Sequence, residues 1–174
     1  TLSIPQGEKT ILLGANGSGK STLIKILNGL LFPTAGEFKA FGTPISERSL
    51  HNPQTAQAFR RRVGFVFQNA EAQLFSATVE EELAFAPLQM GLEPEVIHQR
   101  VEDVASLLRI GSLLSRPPYT LSGGEKRRVA IGCILTINPD AILLDEPTSG
   151  LDPRSQQELI TLLEDRKSTR LNSS

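Results

Sequence analysis

Apolar positions along the chain fall into two rhythms, one of short β-type runs and one of helical spacing. Residues 9–13 read as a short strand, and a glycine-rich stretch follows. Beyond it Leu23, Ile24, Leu27 and Leu30 recur at helical spacing, so strand, loop and helix are expected in that order. Residues 37–41 read as a second strand, closed by the turn residues Gly42, Thr43 and Pro44. Residues 46–58 are polar and without period and are expected to be irregular; Arg60, Arg61 and Arg62 then lead into a strand over 63–67.

From there the rhythm turns helical. Thr78, with Glu81 three positions on, is a capping-box signature for a helix running towards Phe85. Pro94 suits the first turn of a second helix, which carries Ile97, Val101, Val104, Ala105 and Leu108 on one face. A third carries Val129, Ala130, Cys133, Ile134 and Ile137 until Asn138 and Pro139 stop it. Residues 141–144 are apolar without interruption, as in a strand buried on both faces. A further helix is expected from Pro153, with Leu159, Leu162 and Leu163. No internal repeat is visible. The pattern predicts an α/β core (residues 1–68 and 139–166) interrupted by a helical insert over 69–138. From Lys167 the period is lost, and residues 167–174 are expected to be a disordered tail.

Length and charge narrow the classes. A chain of 174 residues fits one domain, or one with a subdomain. Eighteen basic against 19 acidic residues argue against a broad electrostatic surface for nucleic acid, so no nucleic-acid partner is expected. No apolar run approaches the ~18 residues of a membrane span, and no signal segment opens the chain. Cys133 is the only cysteine, which excludes an intrachain disulfide and suits a reducing compartment.

Gly14, Ala15, Asn16, Gly17, Ser18, Gly19, Lys20 and Ser21 fit G-x-x-x-x-G-K-[ST] without a gap. Glycines let backbone N–H groups turn inward around phosphate oxygens, and the helix that follows adds its positive end. Lys20 would set a cation on the β- and γ-phosphates and Ser21 a hydroxyl on Mg²⁺; Thr22 belongs to the same stretch. A plain Gly/Ser turn would carry similar residues, and the strand–loop–helix order argues for the phosphate site. Asp145 and Glu146 end the apolar run at 141–144. Alone such a pair would more often serve to solvate a strand end. Beside a phosphate loop, Asp145 suits a Mg²⁺ ligand and Glu146 a group that polarises the attacking water. Ser122, Gly123 and Gly124 form a second glycine-rich helix start, able to cap or to bind an anion.

Taken in order, these motifs carry a resemblance. The phosphate loop, Gln68 after a strand, Leu-Ser-Gly-Gly-Glu at 121–125, Leu-Leu-Asp-Glu-Pro at 143–147 and the run Ser149, Gly150, Leu151, Asp152 follow the order of the ATP-binding cassette ATPases. The chain resembles that family over about residues 2–165. The resemblance implies a P-loop NTPase (RecA-like) α/β core with a short antiparallel β portion and an inserted helical subdomain. It implies ATP and Mg²⁺ as ligands, with Lys20, Gln68 and Glu146 catalytic and Ser21, Gln68 and Asp145 on the metal. Residues 14–22 would hold the nucleotide. Ser122, Gly123 and Gly124 would close on the γ-phosphate held by a second ATPase subunit, with Asp152 at that boundary.

A narrower likeness runs through Val66–Asn69, 73–79 and 81–85, which resemble the ATPases of energy-coupling-factor importers and of cobalt and nickel uptake systems. In those, this region receives short helices of an integral membrane subunit. The function implied is a peripheral ATPase on the cytoplasmic side of a membrane, driving import of a vitamin or a transition-metal ion. Alternatives are a non-transport cassette ATPase and a nucleotide-dependent binding module with little turnover. Glu125 stands where the family more often has Gln. The adenine-stacking aromatic and the switch histidine have no counterpart, and His51 and His98 are read as surface or structural. The chain is therefore expected to be a fragment cut at both ends, with residues 167–174 foreign to it. Arg60–Arg62 is expected to form a solvated basic face, Cys133 to pack in the core, and Arg127 and Arg128 to face a partner's nucleotide or water.

Overall fold

A computed structural model describes residues 2–69, 73–149, 153, 156, 157, 160 and 161. Leu159, Leu162 and Leu163 of the expected last helix, Asp152 and the tail at 167–174 lie outside these residues.

Helix α1 (Lys20–Leu27) begins after Gly19, whose φ of 92° lets the loop turn into the first helical residue. It ends in a Schellman motif: Gly29 (φ 70°) donates its N–H to Ile26 O and Leu30 to Lys25 O, both at 2.9 Å. Leu30, expected to continue the helical stripe, is thus turned out and half exposed. The residue-9–13 strand does not form. Among the described residues no strand pairs with this segment, and Ile11 and Leu13 are 80% and 90% exposed.

Strands β1 (Phe38–Ala40) and β2 (Thr43–Ile45) make an antiparallel hairpin, with Lys39 opposite Pro44. The turn expected at 42–44 falls earlier, on Phe41 and Gly42, with φ of 52° and 80°. Positive φ at both central residues suits the right-handed twist of a two-residue hairpin. Pro44 stands in a strand here because a two-stranded ribbon leaves its nitrogen side open. The Arg62 guanidinium lies 3.8 Å from the centroid of the Phe41 ring and pairs with Asp140, so this arginine ties elements together rather than only facing solvent.

Residues 46–58, expected to be irregular, instead hold helix α2 (Glu47–Leu50) and the start of α3 (Pro53–Arg62). Ser46 and Ser49 cap α2 reciprocally; the Asn52 side chain accepts from the N–H groups of Gln54 and Thr55, and Pro53 fills the first turn of α3. Only Ala56 and Phe59 of α3 are buried, so its apolar stripe is too sparse to register as a period.

Strand β3 (Val63–Val66) runs parallel to β4 (Ala141–Leu144), with Val63 opposite Ala141 and Val66 opposite Leu144. The pair is covered on both sides. Val66, Ile142 and Leu144 join the larger apolar cluster, built from helices α4 (Val79–Gln89), α5 (Pro94–Leu107) and α6 (Gly123–Leu135). Val63 and Leu143 point the other way, into a smaller cluster with Ile45, Phe59 and Phe38. Two glycines set how closely α6 can lie. A Cβ on Gly64 would collide with Ile134 and come 3.1 Å from Pro139; one on Gly132 would meet Leu83 at 2.7 Å and Leu108 at 3.1 Å. Thr78 caps α4 by accepting from Glu81 N–H, and three glutamates in its first turn complement the positive helix end. The expected face of α5 is buried as patterned, at Ile97, Val101, Val104 and Ala105.

Candidate nucleotide site

The loop before α1 folds on its own backbone. Ser18 donates its N–H to Ala15 O at 3.2 Å, and Gly17 takes a φ of 78°. A Cβ at Gly14 would lie 2.7 Å from Ser18 Oγ, so a side chain there would force that hydroxyl to turn away. Residues 14–19 are exposed, as is Thr22. Lys20 reaches back over the loop, its Nζ donating to Gly14 O at 2.8 Å and Ala15 O at 2.9 Å. The cation therefore sits over a concave, exposed backbone turn at a helix N-terminus, the arrangement that attracts a phosphate.

Ser21 Oγ donates to Asp145 Oδ1 at 3.1 Å, across 124 positions of sequence. Asp145 is buried at the end of β4 and continues the ladder, its N–H donating to Val66 O at 3.1 Å. A hydroxyl and a carboxylate oxygen at this spacing beside the loop are hard oxygen donors, the set that suits Mg²⁺ together with phosphate oxygens. Among the described residues no cluster of three or more His, Cys, Asp or Glu could hold a metal on its own. The next residue, Glu146, has a φ of 48° and is exposed. Gln68, just past β3, donates Nε2 to Glu146 Oε2 at 2.9 Å. The ends of two parallel neighbours thus bring Ser21, Asp145, Gln68 and Glu146 together.

The glycine-rich start of α6 stands apart. No hydrogen bond joins residues 122–124 to residues 14–21 among the described residues, and Ser122 and Gly123 are exposed. Ser122 is occupied locally. Its N–H and hydroxyl both donate to Glu125 Oε2 at 2.8 Å, and Glu125 N–H returns a bond to Ser122 Oγ. The backbone bond from Ser122, then its hydroxyl, hold the Glu125 carboxyl below the usual 4.5 against the opposing effect of burial, with Arg116 and Arg128 adding lesser attraction.

Arg127 is a correction. Expected to face a partner's nucleotide or water, it is buried at 2% exposure, with its side chain on the backbone of both strand-end loops. Nη1 donates to Gln68 O at 2.5 Å and Phe67 O at 3.4 Å, Nη2 to Glu146 O at 3.0 Å and Nε to Pro147 O at 3.2 Å. The signal was available: Arg127 lies three and four positions before Ala130 and Ile131, on the buried stripe of α6. A charge on such a stripe must find strong partners or pay a large desolvation cost. His51 and His98 lie on exposed helical ground, each facing a glutamate one turn away.

Residues 1–149 match the family described as ABC transporter. The chain is 53% identical over 163 residues to the nickel import ATP-binding protein NikO of Rhodobacter capsulatus, covering 94% of this chain and 64% of that protein. Among solved structures, cbiO1 from Clostridium perfringens, part of the ABC transporter complex cbiONQ, superposes with a TM-score of 0.81 at 37% identity, over 90% of this chain and 61% of that one. The cassette MJ0796, solved as a dimer in a post-hydrolysis state bound to ADP and Pi, superposes with a TM-score of 0.80 at 31% identity, over 94% of this chain and 71% of that one. The chain thus spans about 64% of the length of the nickel import relative. With its phosphate-loop motif, mixed α/β architecture and these neighbours, the chain belongs to the ABC transporter family and has the P-loop NTPase fold of its ATP-binding cassettes.

Proposed function

We propose that this chain is the ATP-binding and ATP-hydrolysing part of an importer, working as a pair of cassettes against an integral membrane subunit. The observation that carries the reading is the 3.1 Å bond between Ser21 and Asp145, which joins phosphate loop and strand-end carboxylate into one site. The loop amides of residues 14–19 would receive the β- and γ-phosphates, and Lys20 would exchange its two carbonyl partners for phosphate oxygens. Ser21, Asp145 and Gln68 would hold Mg²⁺, which when bound supplies positive charge to the phosphoryl oxygens. Glu146 is the group that orients the attacking water and accepts its proton, and the Gln68 amide keeps its carboxylate aimed.

The exposed Ser122 and Gly123, with Gly124, are free of their own chain's loop, which supports their closing on a nucleotide held by a second cassette; Asp152 is assigned to the same boundary. Of the two cargo classes, a transition-metal ion or a vitamin, kinship with the nickel import protein favours the metal ion. No helix among the described residues is long and apolar enough to cross a membrane, which fits a peripheral subunit. Thr78, Glu81, Ala84, Phe85 and Leu88, with Ser115, line a groove on α4 and its cap, and Phe75, 67% exposed, packs against the groove residue Phe85. We assign this groove to the membrane subunit.

Calorimetry tests the core of the reading. Lys20→Ala is expected to abolish measurable MgATP binding while its circular dichroism stays unchanged. Glu146→Gln should bind ATP as the parent does and turn over on the order of 10²–10⁴-fold more slowly. A folded Lys20→Ala protein with parental affinity would overturn the assignment.

A further inference from the structure

We propose that Arg127 is a positioning residue that couples the N-terminal turns of α6 to the Gln68–Glu146 pair; this rests on the ATPase reading of that pair. Among the described residues its guanidinium donates to four backbone carbonyls, two on the loop after β3 (Phe67, Gln68) and two on the loop after β4 (Glu146, Pro147). These are the backbones that carry the two side chains joined at 2.9 Å. A planar fork with several fixed donors can hold two chain segments at once, whereas the ammonium of a lysine acts as a single point. Arg127 is also five positions from Ser122, on the second turn of the helix whose exposed start is assigned to the opposing nucleotide. A displacement of that start has a short, stiff path to both loops. Burial strengthens the device, because a desolvated guanidinium that loses one carbonyl cannot replace it with water.

The coupling makes two readouts move together. Hydrogen exchange, read by mass spectrometry on peptides over 64–69 and 143–149, should show both loops losing protection in Arg127→Lys and in Arg127→Met, while peptides from α5 keep theirs. MgATP affinity should stay near parental in Arg127→Lys, with kcat reduced on the order of 10- to 100-fold and KM little changed, as for a misplaced reacting group. Arg127→Lys keeps the charge, so it serves if Arg127→Met fails to fold. Parental protection in either loop, or a KM rise with kcat intact, would overturn the coupling. A parent that binds no nucleotide would instead sink the ATPase reading, and the exchange data would still decide whether Arg127 ties the two loops.

Discussion

At the scale of single residues, Glu125 and Cys133 show how close neighbours move a group's protonation in opposite directions. Glu125 favours its ionised form in the folded chain, so its pKa lies below the 4.5 of an ordinary glutamate. The unfolded chain then takes up a proton first. The stabilisation from this cap is complete above the ordinary value and is lost as pH falls through the lower folded one. Glu125→Gln keeps an oxygen for the Ser122 N–H and removes the titration. Thermal melts between about pH 7 and pH 3 should therefore show a smaller loss of Tm in the variant than in the parent; equal acid limbs would refute the cap's contribution. Cys133 behaves oppositely. Burial, and then the Glu82 carboxylate, push its thiol up to about 12, so it stays a neutral group whose S–H donates to Glu82 O at 3.6 Å. That agrees with its place on the apolar stripe read from sequence. That Lys20, Ser21, Asp145 and Glu146 belong together was legible from their motifs, and that Gln68 joins them from the family resemblance. Arg127 could have been placed in the core from its position on the buried stripe of α6, but its described partners, backbone carbonyls, leave no residue-type signature that would name them.

Among elements, legibility followed the density of apolar residues. Helices α4, α5 and α6 and the strands β3 and β4 bury enough side chains for period and run length to show. Helices α2 and α3 bury almost none and are held by caps, so Ser46 and the Asn52–Pro53 pair were the only clues. The hairpin was misread because Pro44 looks like a turn residue until its partner strand is known. Residues 9–13 have a strand's composition, but a strand also needs a neighbour, and local sequence does not say whether one is present. Where elements were found, their spacing is testable. Gly64 allows β3 to lie against Ile134 and Pro139, so Gly64→Ala should destabilise by about 1–3 kcal/mol through overpacking. Urea unfolding should show a lower midpoint at unchanged slope; no shift would mean that α6 can yield at that contact.

For the molecule as a whole, the β3–β4 pair divides two apolar clusters, one under the helical layer and one under the hairpin and α3. The residues proposed to hold the nucleotide gather beside the ends of that pair, while the groove assigned to the membrane subunit lies on α4 and the segment just before it. Just before α4 the backbone is held by Glu82: buried at 5% exposure, its carboxylate accepts from the N–H groups of Phe75 and Ser76. Phe75 packs edge-on against Phe85, 5.0 Å between centroids, so the exposed ring is held in place rather than loose. Phe75→Asp is accordingly expected to prevent co-purification with the membrane subunit while Lys20-dependent nucleotide binding persists. Retained co-purification would remove the groove from the interface.

The backbone at Glu146 carries a consequence of its own. A φ of 48° is a conformation that a glycine takes without strain and that an L side chain holds at a cost of roughly 1–2 kcal/mol. Selection for stability alone would favour glycine at the end of β4, yet the chain keeps a carboxylate there, aimed by Gln68 and braced from beneath by Arg127. With Glu146 as the proposed base, stability and turnover are set against each other at one position. Variants selected only for heat resistance should drift towards glycine at 146, and the tougher they become by that route, the less chemistry they should retain.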